Sequence, residues 1–439
     1  MRHRYSLLIL LLVFLAAVPD TPAQDEALSA KAVTIESPDF LKPPPGLDAK
    51  SFTLAKTAPK VDVCLFPGLK DRGKGTLWSS WGDGLIARSG KYYTSVGDHL
   101  GIDANCHVYE YNPSTNVLTR VVDVLQAIMQ MLGLFGHGKI HSGLHEADDG
   151  KIYFTTYWGK PKEVDAAFTK GYPGSLLLRF DPKTGKTENL GAIVPKQGLP
   201  ASFFDSSRQL LYFHSVYKGD IAVYDIAAAK VKFQGGADSS AAHRTFFKDA
   251  KGRVFFSGKA GLNYYDPETN KIVETKITLP AAKSAKKEAT LRAAAPRPTK
   301  EGTVYGMTAA GELFAFDSKT ERVKDLGPNW GAGDYTAVMA LSPDEKYLYY
   351  APGAHGSGAK SGAPVVQYNI ASGERKALAF LQQPLLAKLS WPIGGTYNLQ
   401  IDAKGETLFC TFNGAAPGAR SPFGRPAVVV LHIPESERR

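Results

Sequence analysis

Four side chains in the middle of this chain have the chemistry of a proton-transfer site: His141, Tyr217, His243 and Arg244. Imidazoles and phenols take and give protons, and a guanidinium neutralises a carboxylate or steadies an enolate. That set suits β-elimination on a uronate. Six further residues have the types that hold a ligand by ring stacking and hydrogen bonding: Trp81, Tyr157, Trp158, His214, Tyr397 and Asn398. Several histidines together could also hold a divalent metal such as Zn²⁺ or Mn²⁺. No local HExxH pair supports one, so its ligands would come from separate segments and remain unnamed. His141 and His145 are four apart, which on a strand puts them on one face about 13 Å from each other, too far for one ion.

Residues so distant in sequence meet only if a repeated architecture gathers them. The repeat is visible. Tyr111-Asn112-Pro113, Phe180-Asp181-Pro182, Tyr224-Asp225-Ile226, Tyr265-Asp266-Pro267, Phe316-Asp317-Ser318, Tyr368-Asn369-Ile370 and Leu431-His432-Ile433 are one element seven times over. Each follows a β-rich run, and most lead into a polar turn such as Lys183-Thr184-Gly185-Lys186. Spacings of roughly 40 to 70 residues match the propeller-blade period with insertions. The expected fold is all-β: a seven-bladed β-propeller of four-stranded antiparallel blades. Blade two reads as strands at 140–147, 151–157, 175–180 and 186–192, and the other blades run near 76–124, 200–237, 241–279, 289–328, 334–381 and 394–433. The last blade stops at Pro434, short of its fourth strand. A ring must close, so Val61 to Phe66 is expected to supply that strand.

Turn positions then place the site. Trp81, His141, His243 and Thr396 each lie nine residues before the glycine of a hairpin turn, at Gly90, Gly150, Gly252 and Gly405. All four begin an innermost strand, at one mouth of the central channel. Arg244, Tyr397 and Asn398 follow beside them. Tyr157, Trp158, His214 and Tyr217 fall toward the same end of second strands, and His99 and His355 fall in loops on that face. Titratable groups from different blades converging on one concavity mark a functional site.

Composition frames this site. The chain has 439 residues, 44% hydrophobic and 21% charged, with a formal charge of +10. Arg2 and Arg4, the apolar run Leu7 to Val18 and Thr21-Pro22-Ala23 read as a secretory signal over residues 1–23, with the run too short to span a bilayer comfortably. Its removal takes away two positive charges and one negative and leaves +9. A basic exported protein, secreted or periplasmic and with no stable membrane anchor after processing, suits polyanionic partners. Residues 24–58 read as an arm and 59–439 as the propeller. Cys64, Cys106 and Cys410 allow one disulfide at most, with Cys64–Cys410 the favourite if both sit in the closing blade. No CxxC, GxSxG, phosphate-loop, dinucleotide or EF-hand motif is present. Gly82-Asp83-Gly84 reads as a turn. Val124 to Phe135 reads as a short apolar helix, and Lys283 to Lys300, with Arg292, as a solvated basic loop.

The run Ile140-His141-Ser142-Gly143-Leu144-His145-Glu146-Ala147-Asp148-Asp149-Gly150-Lys151-Ile152-Tyr153-Phe154 resembles the repeat of secreted bacterial seven-bladed propellers. These include the streptogramin lyase-like, SMP-30/gluconolactonase-like and propeller polysaccharide lyase groups. The resemblance implies His, Tyr and Arg at the channel mouth, parts that His141, Tyr217, His243 and Arg244 match by type, in some members with a metal. The acidic metal ligands of a gluconolactonase-like site have no counterpart here. The expected function is an exported, monomeric carbohydrate-active protein, a lyase on acidic polysaccharide, with no specific nucleic-acid binding. The alternatives are a non-catalytic propeller that binds a glycan, cell-wall polymer or protein, and a metal-dependent lyase of a small cyclic compound.

Overall fold

The computed structural model describes residues 28–48, 50–70, 76–158, 164–238, 240, 244–281, 289–416, 418–419 and 421–438. The signal segment, His243 and Lys283 to Lys287 lie outside the described residues.

Seven antiparallel sheets form the blades of a propeller. From the innermost strand outward, blade two is His145–Glu146, Ile152–Thr155, Leu177–Asp181 and Lys186–Asn189. Blades three, four and five also have four strands each, and their innermost strands are Gly198–Asp205, Phe247–Lys248 and Leu291–Ala294. The burial pattern explains the sequence pattern. Ile152–Thr155 is buried throughout because neighbouring blades cover both its faces. The outermost strand Lys230–Gly235 alternates exposed and half-buried because only one face is covered.

The seven-fold Tyr/Phe-Asp/Asn motif has a local cause. At the end of each third strand the carboxylate or amide accepts from a backbone N–H two or three residues on: Asn112 from Ser114, Asp181 from Lys183, Asp225 from Ala228, Asp266 from Glu268, Asp317 from Lys319 and Asn369 from Ala371. This side-chain turn reverses the chain into the fourth strand. His432 holds the seventh position, where no fourth strand follows. Its Nε2 lies 2.6 Å from Asp62 Oδ2, on the strand that closes the ring.

That closing strand is Lys60–Leu65, which pairs with Ala427–His432 from Ala427↔Leu65 to His432↔Lys60. Val61 and Val63 are buried in the largest apolar cluster. The preceding arm is built onto the ring. Ser29–Lys31 adds a fifth strand to blade one, Val33–Glu36 one to blade seven, and Thr53–Leu54 a parallel one to blade six. The C-terminal segment is also tied to the arm and to blade six. Buried Glu437 accepts from Lys56 N and Lys376 Nζ, each at 2.7 Å.

Three expectations are corrected. Cys64 and Cys410 do share blade seven, but Ala427–His432 runs between their strands. Two strand spacings are about 9.6 Å, beyond disulfide reach, and all three cysteines are free and buried. Only Val124–Ala127 of the apolar insertion is helical, a single turn capped by Asp123. Arg292 is not in a solvated loop: it lies on the innermost strand of blade five and is 8% exposed.

Candidate ligand-binding and proton-transfer site in the channel

The innermost strands surround a cavity of about 680 Å³ whose wall includes Trp81, Asp83, His141, Arg244, Arg292 and Tyr397. Blades one, two, four, five and seven each contribute. Close seating of blades one and two needs a residue without a side chain, because a Cβ on Gly82 would lie 2.3 Å from Ser142 O.

His141 Nδ1 lies 2.9 Å from the Pro200 carbonyl of blade three. A carbonyl only accepts, so Nδ1 carries the proton and Nε2 keeps its lone pair. Burial, followed by the charges of Arg244, Lys139 and Arg292, holds its pKa well below the ordinary 6.5. His141 is therefore a neutral base fixed in one tautomer.

Lys139 stands two residues earlier, in a segment that bridges Tyr157. Its Nζ is 4.1 Å from the centre of the Trp81 ring and 5.6 Å from that of Tyr157. Burial and then Arg244 push its pKa down to about 7, against the pull of Asp98. Counting from histidines overlooked this residue, although the two-residue spacing to His141 was a usable signal.

Arg292 donates through Nε to Tyr335 OH and through Nη1 to Ala337 O, the latter at 2.9 Å. Its guanidinium lies 4.8 Å from the centre of the Tyr335 ring. Thr245, next to Arg244 on blade four, donates to the Arg292 carbonyl at 2.5 Å, so the two arginines come from abutting segments. Among the described residues, neither arginine has a carboxylate partner. Two cations thus stand on one cavity wall, an arrangement whose chemistry suits pairing with a carboxylate.

A second polar chain completes the mouth. Tyr397 OH lies 2.7 Å from His355 Nδ1, and His355 stacks on Tyr335 at 4.5 Å. Burial pushes the Tyr397 phenol up and the His355 imidazole down. Trp81 stacks on His99 at 4.6 Å.

Asp83 is a channel-wall residue, not part of a surface turn. Its carboxylate accepts from Gly84 N at 2.9 Å and Gln400 Nε2 at 3.0 Å. Burial pushes its pKa up to about 7, outweighing those donors and Arg292. The carboxyl thus holds its proton to far higher pH than an ordinary aspartate. Flanking glycines disguised it as a turn. Lower in the channel, His145 Nε2 lies 2.7 Å from Ser202 Oγ, and burial takes its pKa down to about 4.

Of the ten residues expected at the site, Trp81, His141, Arg244 and Tyr397 line this cavity. Tyr157 backs it, edge-on to His141 at 5.7 Å. The other described members lie elsewhere. Trp158 is wholly buried in a small core with Phe135 and Tyr172. His214 is 2% exposed and its Nε2 lies 2.7 Å from Ser240 Oγ, joining blade three to blade four. Buried Asn398 accepts from Tyr92 OH and donates to Thr94 Oγ1 at 3.2 Å, in the seam between blades seven and one. Tyr217 is 64% exposed in a loop beside Phe168, off the channel wall. Among the described residues no group of three or more His, Cys, Asp or Glu side chains is placed to hold a metal ion, and no helix is long and apolar enough to cross a membrane.

No protein-family model and no curated protein matches the chain. Among solved structures it is similar to an extracellular domain described as part of a one-component system from B. thetaiotaomicron, with a TM-score of 0.50 and 11% identity. The match covers 81% of this chain and 41% of that one, so the chain spans well under half of that neighbour's length. At this identity the likeness is one of fold alone.

Proposed function

We propose that the protein is exported and carbohydrate-active, and that its channel mouth binds a carboxylate-bearing sugar and eliminates across it. The observation that carries this reading is the juxtaposition of a neutral, tautomer-locked His141 with two arginines that lack carboxylate partners, in one cavity. Arg244 and Arg292 hold the uronate carboxylate. Their charge stabilises the enolate that forms when the proton alpha to that carboxylate leaves. His141 Nε2 takes this proton. The carbon–oxygen bond to the neighbouring sugar breaks as the ring double bond forms. The departing oxygen receives a proton from Asp83 or from the Tyr397–His355 pair, so protons and electrons balance. Trp81 and Lys139 border the sugar.

The experiment is a pair of variants on uronate oligosaccharides. His141→Gln keeps binding but loses about 10²-fold or more in turnover, the usual contribution of a general base. Arg244→Ala with Arg292→Ala loses binding itself. A second reading, a non-catalytic propeller that binds a glycan, cell-wall polymer or protein, draws on the neighbour being an extracellular domain. Under it the arginine variants lose binding while wild type has no turnover to lose. A metal-dependent lyase of a small cyclic compound would instead lose activity on chelation.

A further inference from the structure

Five of the ten large apolar side chains that stand well exposed among the described residues share one corner of the propeller. Met129, Met131 and Leu132 are 88%, 74% and 57% exposed, and Leu100 and Ile102 are 40% and 38%. The first three follow the helical turn Val124–Ala127 between blades one and two. The other two lie in the loop between the second and third strands of blade one. Both segments reach the face that carries the channel mouth, and they are tied together. Ile102 bridges Phe135, Asp103 N donates to Leu134 O at 2.9 Å, and Asp103 Oδ1 accepts from Gly133 N at 2.5 Å. The apolar tip is thus held out by a hydrogen-bonded base. Val124, Leu125 and Phe135 at its foot are buried, so the sequence had apolar residues enough to tuck inward and places these three outward instead.

Charge decides what covers the tip. Lys170, Lys196 and Lys218 are exposed on the same face, and Lys170 O accepts from Phe135 N at 2.9 Å. The carboxylates of the base, Asp98 and Asp103, are buried. The corner presents apolar side chains to solvent with Lys170, Lys196 and Lys218 beside them, while Asp98 and Asp103 are buried, Asp220 is half-buried and Asp238, farther along the face, is exposed, on a chain of net charge +10. Protruding apolar groups with lysines exposed on the same face match the boundary between anionic headgroups and acyl chains.

We propose that this corner docks on an anionic lipid surface, with Met129, Met131 and Leu132 entering the acyl boundary and Lys170, Lys196 and Lys218 facing the headgroups. Docking there sets the channel mouth toward the membrane. The proposal is independent of the channel chemistry.

The test is co-sedimentation of the exported full chain with phosphatidylglycerol–phosphatidylcholine vesicles and with phosphatidylcholine vesicles alone. Wild type sediments with the anionic vesicles. The triple variant Met129→Ser/Met131→Ser/Leu132→Ser, made and processed identically, binds at least about 10-fold more weakly, as expected when three apolar side chains no longer leave water. Lys170→Glu with Lys196→Glu weakens binding to anionic vesicles only. Because the native thiols are buried, Met131→Cys takes an environment-sensitive dye selectively, and its emission shifts to the blue on vesicle addition, a readout that does not depend on a destabilised variant. Wild type left in the supernatant, a serine variant that sediments undiminished, or a dye that reports burial only on self-association or on binding a protein overturns the proposal.

Discussion

Lys139 occupies the position where a small change in proton affinity alters the site most. Its ammonium is held between Trp81, which favours the charged form, and Arg244, which disfavours it. With a pKa near 7 it is charged below neutrality and neutral above. Binding of an anionic sugar therefore weakens as pH rises through 7, by about three- to tenfold for the loss of one nearby charge in partly hydrated surroundings. Asp83 loses its proton over the same range and adds to the effect, so Lys139→Met makes the dependence shallower without abolishing it and binds more weakly on the acid side. Calorimetric titration with a uronate oligosaccharide between pH 6 and 8.5 measures it; a wild-type profile as flat as the variant's removes Lys139 from the site. The buried imidazoles make a second prediction. Burial takes the pKa of His137 down to about 3 and that of His145 down to about 4. Above pH 6.5 neither folded nor unfolded chain protonates them, so there is no penalty. Below it the unfolded chain gains protons that the folded chain refuses, and each histidine withdraws about 1.4 kcal/mol per pH unit until its folded pKa is reached. Denaturant midpoints should thus fall from pH 6.5 toward 4, and less steeply in His145→Gln.

The closing strand Lys60–Leu65 is the element on which the ring depends. Val61 and Val63 are 0% and 2% exposed, whereas Val33, on the strand just outside, is 51% exposed. Val61→Ala and Val63→Ala should each cost about 2 kcal/mol, from lost burial and the cavity left behind. Val33→Ala should stay within about 0.5 kcal/mol. Urea midpoints decide it, and equal effects at the three positions would mean that the closure does not carry the load assigned to it. This strand was legible because blade seven visibly lacked a fourth strand and Val61 to Phe66 was an unassigned β-rich run. The third-strand motif was legible for a local reason too: a backbone turn held by an Asp or Asn side chain leaves that residue type in the sequence. The short outer strands at 29–31, 33–36 and 53–54 left no such trace. They are held by the blades they join rather than by any pattern of their own.

At the scale of the whole molecule, chain position predicted which end of the channel a residue approaches but not which way its side chain turns. Trp81 and His141, counted from their turns, line the cavity. Asn398, adjacent to Tyr397, alternates to the opposite side and enters the seam between blades. His214 and Trp158 are likewise drawn into blade packing, which the count of residues from a turn does not report. Asp83 was hidden by its flanking glycines and Arg292 by its place in the basic stretch 283–300, and only the ring brings them to the wall of the cavity that His141 also lines. The account's central claim is that this ring-made cluster performs elimination on a uronate. The measurement that tests it most directly is ultraviolet absorbance of the purified protein with a panel of uronate polysaccharides, with and without chelator. The account predicts a rising signal from unsaturated uronate that persists in chelator and disappears in His141→Gln. A flat trace across the panel, or a signal that His141→Gln leaves unchanged, would contradict it.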